Sequence, residues 1–153
     1  MKSIYKNYHF LLNKIKNKTA LVSVVGLGYV GMPLIKLIHE QGYKTIGIDL
    51  DLQKVKDLRK SNRKIFLSNS YKNLSNSDII IFALPTPIKN FLPDLSYIEN
   101  ALKSLSPYLK KNSLLILEST NYPGSTREKV AKYLEKKKFV LGENIFLGYS
   151  PER

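Results

Sequence analysis

The sequence predicts a single α/β domain built on a doubly wound, mostly parallel sheet. Short apolar runs alternate with segments of helical periodicity along all 153 residues, which is how such sheets are written. The first apolar run leads straight into a glycine-rich turn that opens a helix. No internal repeat or low-complexity stretch interrupts the alternation.

Each element can be argued from its residues. Ile4–Lys16 reads as a basic amphipathic segment, with Phe10, Leu11, Leu12 and Ile15 expected to dock on the rest of the domain. Ala20–Val25 is a buried strand. A helix is expected from about Val30 to Gln41, with Val30, Leu34, Leu37 and Ile38 on one face. Pro33 does not oppose it, because first-turn amides have no intrahelical partner to lose. Lys44–Ile48 is the second strand, and Asp51 caps a helix carrying Leu52, Val55 and Leu58. Lys64–Leu67 reads as a short strand and Tyr71–Leu74 as a helical turn. Asp78–Leu84 (DIIIFAL) is the clearest buried strand, with a proline-punctuated loop over 85–93 behind it. Ser96 with Glu99 and Ser125 with Glu128 read as capping boxes. They open helices running to about Leu109 and Lys137, on either side of a strand at Ser113–Leu117. Ile145–Tyr149 is the last strand. No helix comes after it to cover its face, so the chain is expected to be a piece of something longer.

Composition narrows the chemistry. With 43% hydrophobic residues the chain can bury a core, since domains of this size bury about two-thirds of their unfolded surface. It has no cysteine, which excludes a disulfide scaffold, a thiolate zinc site, an iron–sulfur cluster and a cysteine nucleophile carried by these residues. His9 and His39 lack partners at triad or metal spacing, so no metal site is expected. Twenty-five Lys and Arg against 12 Asp and Glu give a net charge of +13. That charge would attract phosphate. The excess is mostly lysine, however, and no aromatic residues interleave with Lys136–Lys138 as a stacking surface requires. A solvated basic surface is therefore the expectation, with neither nucleic acid nor membrane as partner. The longest uninterrupted apolar run, Ile79–Leu84, is far below the roughly 18 residues of a spanning helix. No signal peptide is legible either, and a cytoplasmic location is expected.

Gly26-Leu27-Gly28-Tyr29-Val30-Gly31 carries the chemistry. In a strand–turn–helix context, Gly26 permits the tight turn and Gly28 lets the backbone approach a pyrophosphate. Gly31 lets helix and strand pack closely. The helix N-terminus offers free amides and a positive dipole end to phosphate. Asp49 stands 23 residues beyond Gly26, at the end of the second strand. A carboxylate there accepts hydrogen bonds from an adenosine ribose and repels a 2′-phosphate, favouring NAD over NADP. Lys54 lies one helical turn further on. Together these features predict a Rossmann-type dinucleotide-binding domain.

Three loops leave the carboxyl ends of the strands, where open α/β sheets place ligands. They are Pro85-Thr86-Pro87, the stretch from Glu118 to Gly124, and Tyr149-Ser150-Pro151-Glu152-Arg153. The hydroxyls of Thr86, Ser119 and Thr120 and the carboxylate of Glu152 suit a polar, hydroxylated substrate. Proline and glycine ending strands, and serine and threonine capping helices, account for the same residues equally well.

GLGYVGMP at 26–33, IDLD at 48–51, LPTP at 84–87, PDLSYIENA at 93–101, ESTNYPGST at 118–126 and YSPER at 149–153 resemble the nucleotide-sugar 6-dehydrogenase family. The wording is most similar to its UDP-N-acetylglucosamine or -mannosamine branch. The resemblance implies NAD-dependent, two-step oxidation of a sugar C6 alcohol to a carboxylate for polysaccharide synthesis. In the family a cysteine captures the intermediate aldehyde, and the thiohemiacetal is oxidised to a thioester and hydrolysed. By position, Gly26, Leu27, Gly28, Tyr29, Val30 and Gly31 would hold the pyrophosphate, and Asp49 and Lys54 the adenosine side. Pro85, Thr86, Ser119 and Thr120 would flank the nicotinamide half. As catalytic residues, Thr120 matches a threonine that helps position an active-site water, and Glu152 a glutamate of acid/base work. The family is homo-oligomeric and takes a UDP-sugar as substrate.

Two departures from the family pattern stand out. The stretch 61–77 is shorter than usual, with a loop and a helical element missing. The family also continues past YSPER into a long helix, which carries its dimer contacts, and a substrate domain. That domain supplies the cysteine together with a lysine and an asparagine. The expected organisation is thus a basic segment at 1–18 and an NAD-binding domain at 19–153, truncated relative to the family. A catalytically inactive NAD-binding fragment or interaction module is the alternative reading.

Overall fold

The computed structural model describes residues 2–89, 91–119 and 122–150. In chain order its elements are α1 (Lys2–Lys16), β1 (Leu21–Val25), α2 (Gly31–Glu40), β2 (Lys44–Ile48), α3 (Leu52–Ser61) and β3 (Phe66–Ser68). A one-turn 3₁₀ helix at Tyr71–Leu74 precedes β4 (Ile79–Phe82). Next come the short strands β5 (Ile88–Lys89) and β6 (Leu92–Pro93), then α4 (Ser96–Leu105) and β7 (Ser113–Leu117). A wide-turned helix at Thr126–Ala131 runs into α5 (Lys132–Lys136), and β8 (Ile145–Tyr149) completes the sheet.

Six parallel strands lie in the order β3-β2-β1-β4-β7-β8, a doubly wound sheet as the sequence predicts. Both faces are covered, as parallel sheets require. Side chains alternate along each strand, so Val24 and Ile81 pack with Met32 and Ile35 of α2 and Val55 of α3. Val25, Ile80 and Phe82 point the other way, onto Ile98, Leu102 and Leu105 of α4 and Leu134 of α5.

α1 covers the same face as α2 and α3, against β7 and β8. Leu11 is buried beside Leu114, Ile116 and Phe146. Asn7 donates to the Glu143 carbonyl at 2.8 Å. Lys14 and Lys110 each meet Asp78 at 2.6 Å, and the Leu21 amide donates to the same carboxylate. Asp78 therefore rivets α1 to the amino ends of the strands. Phe10 does not dock as expected. One residue advances a helix by about 100°, so Phe10 turns away from the sheet beside Leu11 and is 57% exposed, while Leu12 and Ile15 are half-buried. Leu37 is likewise exposed, while Met32 and Ile35 form the buried stripe of α2.

Neither expected capping box forms. α4 is opened by Asp94, whose carboxylate accepts the Ser96 amide at 2.9 Å, and Glu99 pairs instead with Lys129. α4 also ends earlier, at Leu105, where a 3₁₀ turn at Ser106–Tyr108 takes over. Ser125 has helical backbone angles and no side-chain cap, because the helix behind it begins with i→i+5 winding. The loop over 85–93 holds the β5–β6 hairpin, too short for periodicity to reveal. The short 61–77 connection closes well. Asn62 caps α3 through the Leu58 carbonyl, Arg59 reaches the Leu67 carbonyl, and Ile65, Leu67 and Leu74 are buried.

Candidate dinucleotide-binding site

The glycine turn is fixed by close contacts on three sides. The Gly26 amide donates to the Ile48 carbonyl at 2.8 Å, and its φ of +95° suits glycine. A Cβ on Gly26 would stand 2.4 Å from the Ala83 carbonyl oxygen, and one on Gly31 only 1.8 Å from that of Gly26. The turn is thus pressed between α2 and the end of β4. Gly28 differs, since among the described residues nothing lies within 4 Å of where its Cβ would be. Its open side is where a ligand's backbone-hugging group fits. Among the described residues no side chain caps the N-terminus of α2; the Met32 amide donates to the Gly28 carbonyl at 3.1 Å and Pro33 has none, which leaves the Gly31 amide to an anion.

Asp49 leaves the end of β2 and accepts three hydrogen bonds. They come from the Leu27 amide (3.0 Å), the Asp51 amide (3.1 Å) and Lys54 Nζ (2.7 Å). Burial alone would raise its pKa, but the Lys54 bond and the two amides outweigh it and hold the carboxyl below its ordinary value. With three of about four lone-pair positions used, the carboxylate keeps acceptor capacity toward the cleft. Asp51 caps α3 by accepting the Lys54 amide at 3.0 Å, so capping falls to Asp51 and leaves Asp49 to the loop.

These residues border a cleft of about 870 Å³ across the carboxyl ends of the strands. Gly26, Gly28, Tyr29, Val30, Asp49 and Lys54 line one part, and Pro85, Thr86 and Ser119 the other. Leu27 and Gly31 do not line it. The Leu27 side chain is in the core and only its amide serves the site, through Asp49; Gly31 is packing. Ser119 both donates to the Leu84 carbonyl and accepts the Leu84 amide, latching the end of β7 to that of β4. Thr120 and Glu152 lie outside the described residues. Sequence reasoning missed Tyr71, and Tyr97, Asn100 and Ser104 of α4, which form the cleft's other wall. Glu118 also borders it. β2 and β7 are three strand spacings apart, about 14 Å, so Asp49 and Glu118 stand at the two ends of an extended groove.

A model of the UDP-glucose/GDP-mannose dehydrogenase family, NAD binding domain, matches residues 20–153. The chain belongs to this family. NAD is its cofactor, and the residues present fit it: an open Gly28, the uncapped N-terminus of α2 with its Gly31 amide, and an acceptor at Asp49. The chain is 35% identical to a UDP-N-acetyl-D-glucosamine 6-dehydrogenase of Pseudomonas aeruginosa, a match covering 89% of this chain and 36% of that one. It is 35% identical to a UDP-N-acetyl-D-mannosamine dehydrogenase of Methanococcus aeolicus, covering 93% and 36%. That alignment runs over 164 residues, so the relative carries positions that this 153-residue chain lacks. The native structure of the UDP-N-acetyl-mannosamine dehydrogenase Cap5O from Staphylococcus aureus superposes with a TM-score of 0.81 at 30% identity, covering 88% of this chain and 37% of that one. The chain thus spans about a third of the length of the curated relatives it matches.

Proposed function

We propose that this chain is the cofactor-holding part of a UDP-N-acetylhexosamine 6-dehydrogenase. The observation that carries the proposal is the coupling of the glycine turn to Asp49 within one cleft, in a chain similar to enzymes named for UDP-N-acetyl sugars. When bound, NAD accepts hydride from the sugar's C6 carbon. The chain's own residues orient it. Gly28 and the Gly31 amide at the start of α2 take the pyrophosphate, Asp49 takes the adenosine ribose, and Lys54 holds the Asp49 carboxylate. Asp49 also sets NAD above NADP, since a 2′-phosphate would meet a second anion. Ser119 works by holding the Leu84–Pro85 segment against the nicotinamide half, with Thr86 beside it. Thr120 and Glu152 are proposed to serve water positioning and proton transfer. The enzyme is proposed to act in the cytoplasm, as a homo-oligomer.

The capture of an aldehyde by cysteine requires residues this sequence does not contain, since it has no cysteine. That observation favours a second reading for the isolated chain, an NAD-binding module without turnover. The two separate cleanly in an absorbance assay at 340 nm with NAD and UDP-N-acetylglucosamine or -mannosamine. The isolated chain is expected to bind NAD and form no NADH. Fused to the substrate domain of the Pseudomonas relative, it should form two NADH per sugar. A fusion that binds both ligands and stays silent supports the module reading; turnover by the chain alone contradicts the assignment of roles.

A further inference from the structure

Tyr71 opens the 3₁₀ turn that comes after the edge strand β3. A serine-rich corner places it. Ser68 Oγ accepts the Ser70 amide at 3.1 Å and Asn73 Nδ2 at 2.7 Å, and Ser70 Oγ caps the turn through the Lys72 amide. This corner swings the chain back from the sheet edge to the ends of β2 and β1. The ring is 9% exposed, sits in the core cluster with Val25 and Ile48, and borders the cleft with Asp49 and Lys54. Yet its hydroxyl has no hydrogen-bond partner among the described residues. Unlike the Ser125 hydroxyl, it is not sealed from solvent, so a partner can reach it from the cleft that Tyr71 lines. Burial first, and then the Asp49 charge, push its pKa above 10.0. The group near Asp49 is therefore a neutral O–H at working pH, able to donate.

We infer that the Tyr71 hydroxyl is completed by the cofactor, hydrogen-bonding the adenosine that Asp49 holds. The inference rests on NAD occupying this cleft. Nothing in the glycine motif specifies this residue; it comes from the separate β3 corner and reaches the site only through the fold.

The test compares wild type, Tyr71→Phe and Asp49→Asn by calorimetric titration with NAD and with AMP, alongside thermal melting. Removing a hydroxyl that has no protein partner should leave melting unchanged and weaken NAD and AMP by the same factor, about three- to tenfold. A second readout is the Tyr71 ring carbon resonance in ¹³C-tyrosine-labelled protein, expected to shift on adding AMP. Tyr71→Phe binding both ligands like wild type would overturn the inference, as would a loss seen with NAD and not with AMP. A lowered melting point would also overturn it, by making Tyr71 a packing residue. If Asp49→Asn loses NAD while Tyr71→Phe keeps it, only the Tyr71 role fails. A wild type that binds neither NAD nor AMP removes the cofactor reading as well.

Discussion

The Leu27 amide donates to the Asp49 carboxylate at 3.0 Å, tying the glycine turn to the end of the second strand. One contact thereby sets the spacing between the glycine turn, proposed to face phosphate, and the acid proposed to face the ribose. It also makes Asp49 a structural residue. Asp49→Ala should cost about 1–2 kcal/mol in urea denaturation, because the Leu27 amide loses its partner. Asp49→Asn keeps an acceptor for that amide. It should hold most of the stability while losing about tenfold in NAD affinity.

Two glycines three residues apart should behave oppositely. Gly31→Ala places a Cβ 1.8 Å from the Gly26 carbonyl oxygen, so the turn or the helix must move. It should melt far below wild type or fail to fold. Gly28→Ala meets nothing within 4 Å among the described residues and should melt like wild type. Its methyl instead occupies the face a pyrophosphate approaches, so NAD binding should fall at least about tenfold. Melting curves and NAD titrations of the two variants separate these outcomes. Equal stability loss in both would contradict the division between packing and ligand glycines.

Asp78 tests the α1 anchorage. Its side chain is 4% exposed and holds Lys14, Lys110 and the Leu21 amide. Asp78→Ala strands all three and should cost about 2–4 kcal/mol in chemical denaturation. It sits at the amino end of β4, opposite the cleft, so NAD affinity of the folded fraction should be unchanged. A loss below about 0.5 kcal/mol would show that α1 is held by Leu11 packing alone.

Acid should unfold the domain through the same carboxylates. Burial opposes ionisation of Asp78, but its bonds to Lys110 and Lys14 and to the Leu21 amide prevail. Its folded pKa lies below the ordinary 3.8, as does that of Asp49. Below pH 3.8 the unfolded chain therefore binds protons first. Their stabilisation is complete above that value and lost as pH falls through the depressed folded values. Denaturation midpoints should be flat with respect to these groups near neutrality and drop below about pH 4. Asp78→Asn should flatten that acid limb.

Much of the fold was legible in the sequence, and the failures share a cause. Val24 and Ile80 sit in short apolar runs closed by Gly26 and Pro85, and Leu115 in one closed by Glu118, lengths that suit buried strands. Asp49 was readable because its distance from Gly26 is set by one β-α-β unit. The capping boxes failed because Ser96 and Ser125 obey a local pattern that neighbours override. Asp94 takes over the first turn of α4, and Glu99 is drawn to Lys129. Phe10 misled because an apolar residue one step from Leu11 faces solvent. Tyr71 and Asn100 escaped because they belong to other elements, and only the crossing of the chain brings them to the cleft.

The central claim is that Asp49 and the glycine turn form an NAD site selective against a 2′-phosphate. Calorimetric titration of the wild-type chain with NAD and with NADP tests it most directly. One NAD should bind per chain, with NADP weaker by about tenfold or more. Equal affinity for the two dinucleotides, or binding of neither, would contradict it.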